Sequence, residues 1–169
     1  MAANPQVSPP GRAVLQVRRT FRAPREQVFR AWTDPELLRQ WLTGVGSSPH
    51  AEVDARVGGE FKITMTARGA KLLSRLIRDE TGEFVHLIGR YREISPPERL
   101  VFTMGWQDFP TIHMDRDAST VTVEFNEDDG GTEVVLNHER QPSGRLRTFH
   151  LIGWAGSLRK LDRLLSRTA

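Results

Sequence analysis

The sequence predicts an α+β fold, with helices segregated to one side of an antiparallel sheet. Three observations carry that prediction. Two proline-led helix starts stand close together after a first strand, apolar residues then recur with period two through the middle of the chain, and one long apolar stripe at helical spacing closes it.

Val14 to Phe21 holds apolar and β-branched residues interrupted by Arg18 and Arg19, the pattern of a strand near a sheet edge. In Ala23–Pro24–Arg25–Glu26 a proline stands where a first helical turn tolerates it, and Glu26 faces the positive end of the helix dipole. Val28, Phe29 and Trp32 follow at helical spacing. Thr33–Asp34–Pro35–Glu36 repeats the device with Asp34 as N-cap, and Leu37, Leu38, Trp41 and Leu42 supply the apolar face. Turn residues Gly44, Gly46, Ser47, Ser48 and Pro49 end this pair of short helices.

Beyond them the period becomes two. Phe61, Ile63 and Met65 alternate with Lys62, Thr64 and Thr66. Phe102, Met104 and Trp106 alternate with Val101, Thr103 and Gly105, and Val121, Val123 and Phe125 with Thr120, Thr122 and Glu124. Val85 to Ile94 is a further strand, closed by Pro96–Pro97. Asp128–Asp129–Gly130–Gly131 predicts a hairpin turn, after which Val134, Leu136 and His138 continue the inward face. An inserted segment at about residues 67–83 breaks the strand pattern: Leu72, Leu73, Leu76 and Ile77 fall at helical spacing among Lys71, Arg75 and Arg78. The final stripe, Leu151, Trp154, Leu158, Leu161 and Leu165, predicts a helix of about 20 residues, roughly 30 Å long. Gly153 and Gly156 within it each cost about 1 kcal/mol relative to alanine, so a close helix–sheet contact is expected there.

A chain of 169 residues with 38% apolar content fits one domain, here residues 12–169 behind a flexible tail, 1–11, and can bury about 70% of its unfolded surface. The absence of cysteine excludes disulfides, thiolate metal sites and a cysteine nucleophile. No apolar run reaches a membrane span, and MAANPQVSPP lacks the features of a signal peptide, so a cytoplasmic protein is expected. The pI near 9.9 reflects only 24 basic against 21 acidic residues, spread along the chain, and predicts no nucleic-acid binding.

The stretch from Thr20 to Glu36, then Trp41, Gly58–Gly59–Glu60–Phe61, Tyr91 to Leu100 and Gly153–Trp154, resembles the activator-of-heat-shock-protein-90-ATPase-like family. That family lies within the SRPBCC, or START-related, birch-allergen-like helix-grip superfamily, and the resemblance spans about residues 14–167. It implies a curved antiparallel sheet wrapped around the long C-terminal helix, with a cavity between them closed at one end by the two short helices. The inserted segment departs from the family's usual short turn.

In such a fold Phe61, Met65, Tyr91, Phe102, Met104, Trp106, Val121, Val123 and Phe125 would face Leu151, Trp154 and Leu158 and could enclose an apolar ligand. The alternative is that they meet as a solid core. Of His50, His86, His113, His138 and His150, only His138 and His86 are placed on strands. His138 is the polar candidate for the ligand, against a hydrogen-bonded core histidine. No paired metal-ligand spacing is present, so neither metal nor cofactor is expected, and no nucleophile elbow or dinucleotide fingerprint is legible. Glu124 and Glu133 fall on the outward phase of their strands, and Asp79, Glu80 and Glu83 in the insertion, as solvated charges. The insertion could form a lid or a homodimer contact through Leu72, Leu73, Leu76 and Ile77, pack on its own domain, or touch a membrane surface. The leading expectation is a non-enzymatic module binding a small hydrophobic molecule. The alternatives are a co-chaperone-like interaction module, and a cyclase, dehydratase or hydrolase acting on a hydrophobic substrate in the same cavity.

Overall fold

The period-two segments form a seven-stranded, wholly antiparallel sheet that curves without closing. In the computed structural model, residues 14–42, 48, 50–66, 84–108, 114–140 and 144–167 are described. The strands are β1 (Leu15–Phe21), β2 (His50–Val53), β3 (Glu60–Thr66), β4 (Phe84–Ser95), β5 (Arg99–Gln107), β6 (Met114–Asp128) and β7 (Gly131–Glu139). They lie in the order β1-β7-β6-β5-β4-β3-β2. The helices are α1 (Arg25–Arg30), α2 (Pro35–Trp41) and α3 (Arg145–Leu165). This is the helix-grip arrangement the sequence led us to expect, with β1 at one edge. The predicted tail, 1–11, and the insertion, with Leu72, Leu73, Leu76 and Ile77, lie outside the described residues.

Local chemistry accounts for the joints. Pro24 is the N-cap of α1. Asp34 caps α2, its Oδ1 accepting from the Glu36 N–H at 2.9 Å and the Leu37 N–H at 3.4 Å, with Pro35 following where no amide is needed. The Trp41 indole ties the two short helices together by donating to the Ala31 carbonyl at 2.9 Å. Gly130 takes a positive φ of 76° in the β6–β7 turn, a conformation costly for other residues. Bulges at Tyr91/Glu93 and Met104/Trp106 add bend to the central strands. A Cβ at Gly89 would overlap the Thr103 carbonyl and the Phe61 ring, so the missing side chain lets Phe61 lie across β4.

The concave face carries the residues the alternation predicted, Phe61, Ile63 and Met65; Phe102, Met104 and Trp106; Val121, Val123 and Phe125; Val134, Leu136 and His138, together with Leu100, all buried. Helix α3 packs into that face through Trp154, Leu158, Leu161 and Leu165. It is held to the edge strand by Arg19, which points inward and meets Asp162 at 2.6 Å. The convex face carries ion pairs, Arg99 meeting Glu124 at 2.9 Å and Arg18 meeting Glu133 at 3.6 Å, together with the buried Val135 and Ile88.

Three expectations change. Leu151 is 44% exposed; Phe149 and His150 occupy the inward position at that end of α3, because a step of four back from Trp154 stays on the buried stripe. A Cβ at Gly153 would meet nothing within 4 Å among the described residues, so this glycine faces the cleft and not a tight helix–sheet contact. His50 starts strand β2, which the sequence pattern did not show.

Candidate functional site

The space between sheet and helix is unevenly filled. At the end covered by α1 and α2, aromatic rings close on one another. Trp32 meets Trp41 at 4.5 Å and Phe125 at 6.0 Å, both edge-on, and stacks against Trp154 at 6.1 Å. Phe29 meets Phe125 at 5.2 Å, and Phe61 meets Phe102 at 5.6 Å. Such edge-to-face contacts add about 0.5–1.5 kcal/mol each beyond their burial.

Toward the other end a cleft remains. It is lined by Leu42 from the end of α2, Met65, Leu87, Met104 and Trp106 from the sheet, and Phe149, His150, Gly153, Trp154 and Ser157 from α3. Its volume is about 40 Å³, room for roughly three waters. Drug-sized ligand sites run to about 300–1,000 Å³, so at rest the cleft admits only a small fragment. Met65 and Met104, unbranched and with several rotatable bonds, can change shape at low cost. A second void of about 10 Å³ lies deeper, bordered by Trp32, Leu38, Leu42, Phe61, Ile63, Tyr91 and Phe102.

The polar side of the cleft is built from paired indoles and imidazoles. Trp106 Nε1 donates to His150 Nε2 at 2.9 Å. Trp154 Nε1 donates to His138 Nδ1 at 3.1 Å, which fixes the His138 proton on Nε2. That proton goes to Ser119 Oγ at 2.8 Å, and the serine hydroxyl donates on to the Met104 carbonyl at 2.8 Å. The two imidazoles lie 4.9 Å apart. Burial holds both in the neutral form: it lowers the pKa of His150 to about 4, and burial with the neighbouring His150 lowers that of His138 to about 2. His138 is therefore a hydrogen-bonded interior histidine behind the cleft wall.

Of the residues expected to line a ligand cavity, Met65, Met104, Trp106 and Trp154 border the cleft, and Phe61, Tyr91 and Phe102 border the deeper void. Val123, Phe125, His138 and Leu158 are buried outside both linings, and Leu151 is on the surface. Sequence reading passed over Leu42, Leu87, Phe149, His150 and Ser157. For His150 a signal existed, since it stands four residues before Trp154 on the same stripe. His86 stands between Thr64 and Asp108 on the other phase of β4, half-buried, with its pKa lowered first by burial.

Among the described residues no carboxylate lines the cleft, and no group of three or more His, Asp or Glu side chains could hold a metal ion. No described helix is long and apolar enough to cross a membrane.

The family model described as "Activator of Hsp90 ATPase homolog 1-like protein" matches residues 22–166. No curated protein matches the chain. Among solved structures, protein CV1439 from Chromobacterium violaceum is 26% identical with a TM-score of 0.69, over 90% of this chain and 97% of that one. The AHSA1-like protein from Aeromonas hydrophila is 22% identical with a TM-score of 0.71, over 92% and 94%. Protein NE0264 from Nitrosomonas europaea is 23% identical with a TM-score of 0.67, over 92% and 96%.

Proposed function

The chain belongs to the Activator of Hsp90 ATPase homolog 1-like family, and from that premise we propose that it binds a small hydrophobic molecule in the cleft between the sheet and α3. The observation that carries this reading is the cleft's chemistry: among the described residues, a mostly apolar lining with two adaptable methionines, and a few polar groups, His150, Ser157 and the already bonded indoles of Trp106 and Trp154. Apolar walls with few placed polar groups are what small-molecule sites share. Burial of ligand surface supplies affinity at about 25 cal/mol per Å², less the cost of ordering ligand and side chains. Because the resting volume is small, a larger ligand enters by moving Met65, Met104 and Phe149 apart.

The described lining, with its satisfied indoles, one neutral imidazole and one hydroxyl, suits binding rather than turnover. The test is titration with the neutral probe N-phenyl-1-naphthylamine, read by its own emission and by quenching of Trp106 and Trp154. Saturable binding that weakens in Trp106→Ala supports the cleft; no binding, or binding indifferent to Trp106, sinks it.

A second reading, contact with a chaperone of the Hsp90 class, draws on the family description and on the convex face. There Glu60 joins Arg90 and Arg116 at 2.8 and 2.9 Å, and Asp117 joins Arg92 at 2.8 Å. Stimulation of a chaperone ATPase that is lost on charge reversal of Arg90 and Arg92 would establish it. A cytoplasmic location, and self-association through Leu72, Leu73, Leu76 and Ile77, belong with these proposals and are tested by fractionation and by native mass.

A further inference from the structure

The chain has four tryptophans, and their indole N–H groups are not treated alike. Those of Trp41, Trp106 and Trp154 donate to the Ala31 carbonyl, His150 and His138 respectively. Trp32, 2% exposed, has its Nε1 buried without an acceptor among the described residues. A buried donor left unmade is costly, and native structures answer nearly all of them. Trp32 also borders the void of about 10 Å³, close to the space one water occupies.

The void's other polar residue is Tyr91. Its hydroxyl donates to the Trp32 carbonyl at 3.3 Å, which leaves the phenol oxygen's lone pairs as acceptors. Burial pushes the Tyr91 pKa up, so the group stays a neutral phenol. The rest of the lining among the described residues, Leu38, Leu42, Phe61, Ile63 and Phe102, is apolar and uncharged. One oxygen would complete the set if it accepted from Trp32 and donated to Tyr91. A ketone or ether has no proton to give to Tyr91. A carboxylate would be stripped of water with no cation beside it in the described lining. Leu42 borders both spaces, and Trp32 stacks on Trp154 of the cleft wall, so the void and the cleft are neighbours.

We infer that the void is the polar end of the site and takes a single hydroxyl oxygen, supplied by the terminus of an apolar alcohol lying in the cleft or by a buried water. The alcohol source rests on the ligand-binding reading above; the water source does not.

The experiment has two parts. 1-Octanol and methyl octyl ether compete against N-phenyl-1-naphthylamine on the wild type, Trp32→Phe and Tyr91→Phe, and the indole resonance of Trp32 in wild-type protein is examined for cross-relaxation with water. An alcohol preferred over the ether by about three- to tenfold, with the gap closing in both variants, identifies a bound hydroxyl. Equal affinities with a long-lived water contact at the Trp32 indole identify a water. Should neither compound bind while that water contact is present, the cleft reading fails and the void assignment stands. No alcohol preference and no water contact overturns the inference, as does a preference that survives both substitutions without one. The wild-type resonance decides even if a variant does not fold.

Discussion

The two ends of the space under α3 are made from similar residues and behave differently. At the end beneath α1 and α2, Trp32, Trp41, Phe29, Phe102 and Phe125 meet ring to ring and leave a void of about 10 Å³, a quarter of the cleft's volume. At the other, Trp106 and Phe149 still touch at 5.5 Å, but Gly153 and the two methionines stand where further rings would be needed, and a cleft remains. Aromatic content does not decide whether an interior is solid. What decides it is whether a neighbouring element is close enough to bring a complementary edge, and α1 and α2 do so at one end only.

The largest effect separates the ends by stability. Phe125→Ala should cost about 3–5 kcal/mol in urea unfolding, and Met65→Ala clearly less, because only the first opens a void where none existed. Equal losses would mean the cleft wall is as tightly packed as the closed end.

Next comes acid. His150 has its folded pKa lowered to about 4, while in the unfolded chain it titrates near 6.5. The unfolded state therefore binds the extra proton between those values, and stability is fully present above about pH 6.5 and falls as pH drops toward 4, by about 3 kcal/mol. The still lower pKa of His138 extends the loss further down. His150→Gln, which keeps an acceptor for Trp106, should flatten the upper part of that slope in melts at pH 7 and pH 4.5. An unchanged slope would place the proton elsewhere.

Trp106→Ala is expected to weaken probe binding about tenfold, and Phe29→Leu at the closed end, outside both linings, to leave it within about twofold. The smallest effect carries the most information about Gly153. Gly153→Ala should raise stability by up to about 1 kcal/mol, since helix propensity improves and the new methyl group meets nothing within 4 Å. Gly153→Leu should fill the cleft and abolish probe binding with little change in the melt.

Much of the fold was legible because it rests on short-range devices. Asp34–Pro35 announces α2, the Asp128–Gly131 turn announces its hairpin, and strict alternation sets the inward faces of β3, β5 and β6. β2 escaped because its four residues carry no apolar alternation of weight. The cleft was only partly legible. Met65, Met104, Trp106 and Trp154 followed from phase, but whether apolar side chains meet or stand apart depends on the distance between elements, which no periodicity encodes. Leu151 was favoured over His150 by hydrophobicity alone; the inward place at that turn belongs to the polar ring because Trp106 is there to donate to it.

The pairing of β1 with β7 joins segments far apart in the chain: Gln16 bonds Asn137 across 121 positions. At about 5–20 residues per second of synthesis, β1 waits on the order of ten seconds for its partner β7 to be made. Contacts of such long range slow folding, and an unpaired strand is the kind of edge that recruits a neighbouring chain. Gln16, Arg18 and Thr20 on one side and Arg19 on the other keep that waiting strand charged and hydrated. The same arginine that later closes on Asp162 thus guards the nascent chain before the helix it will clasp exists.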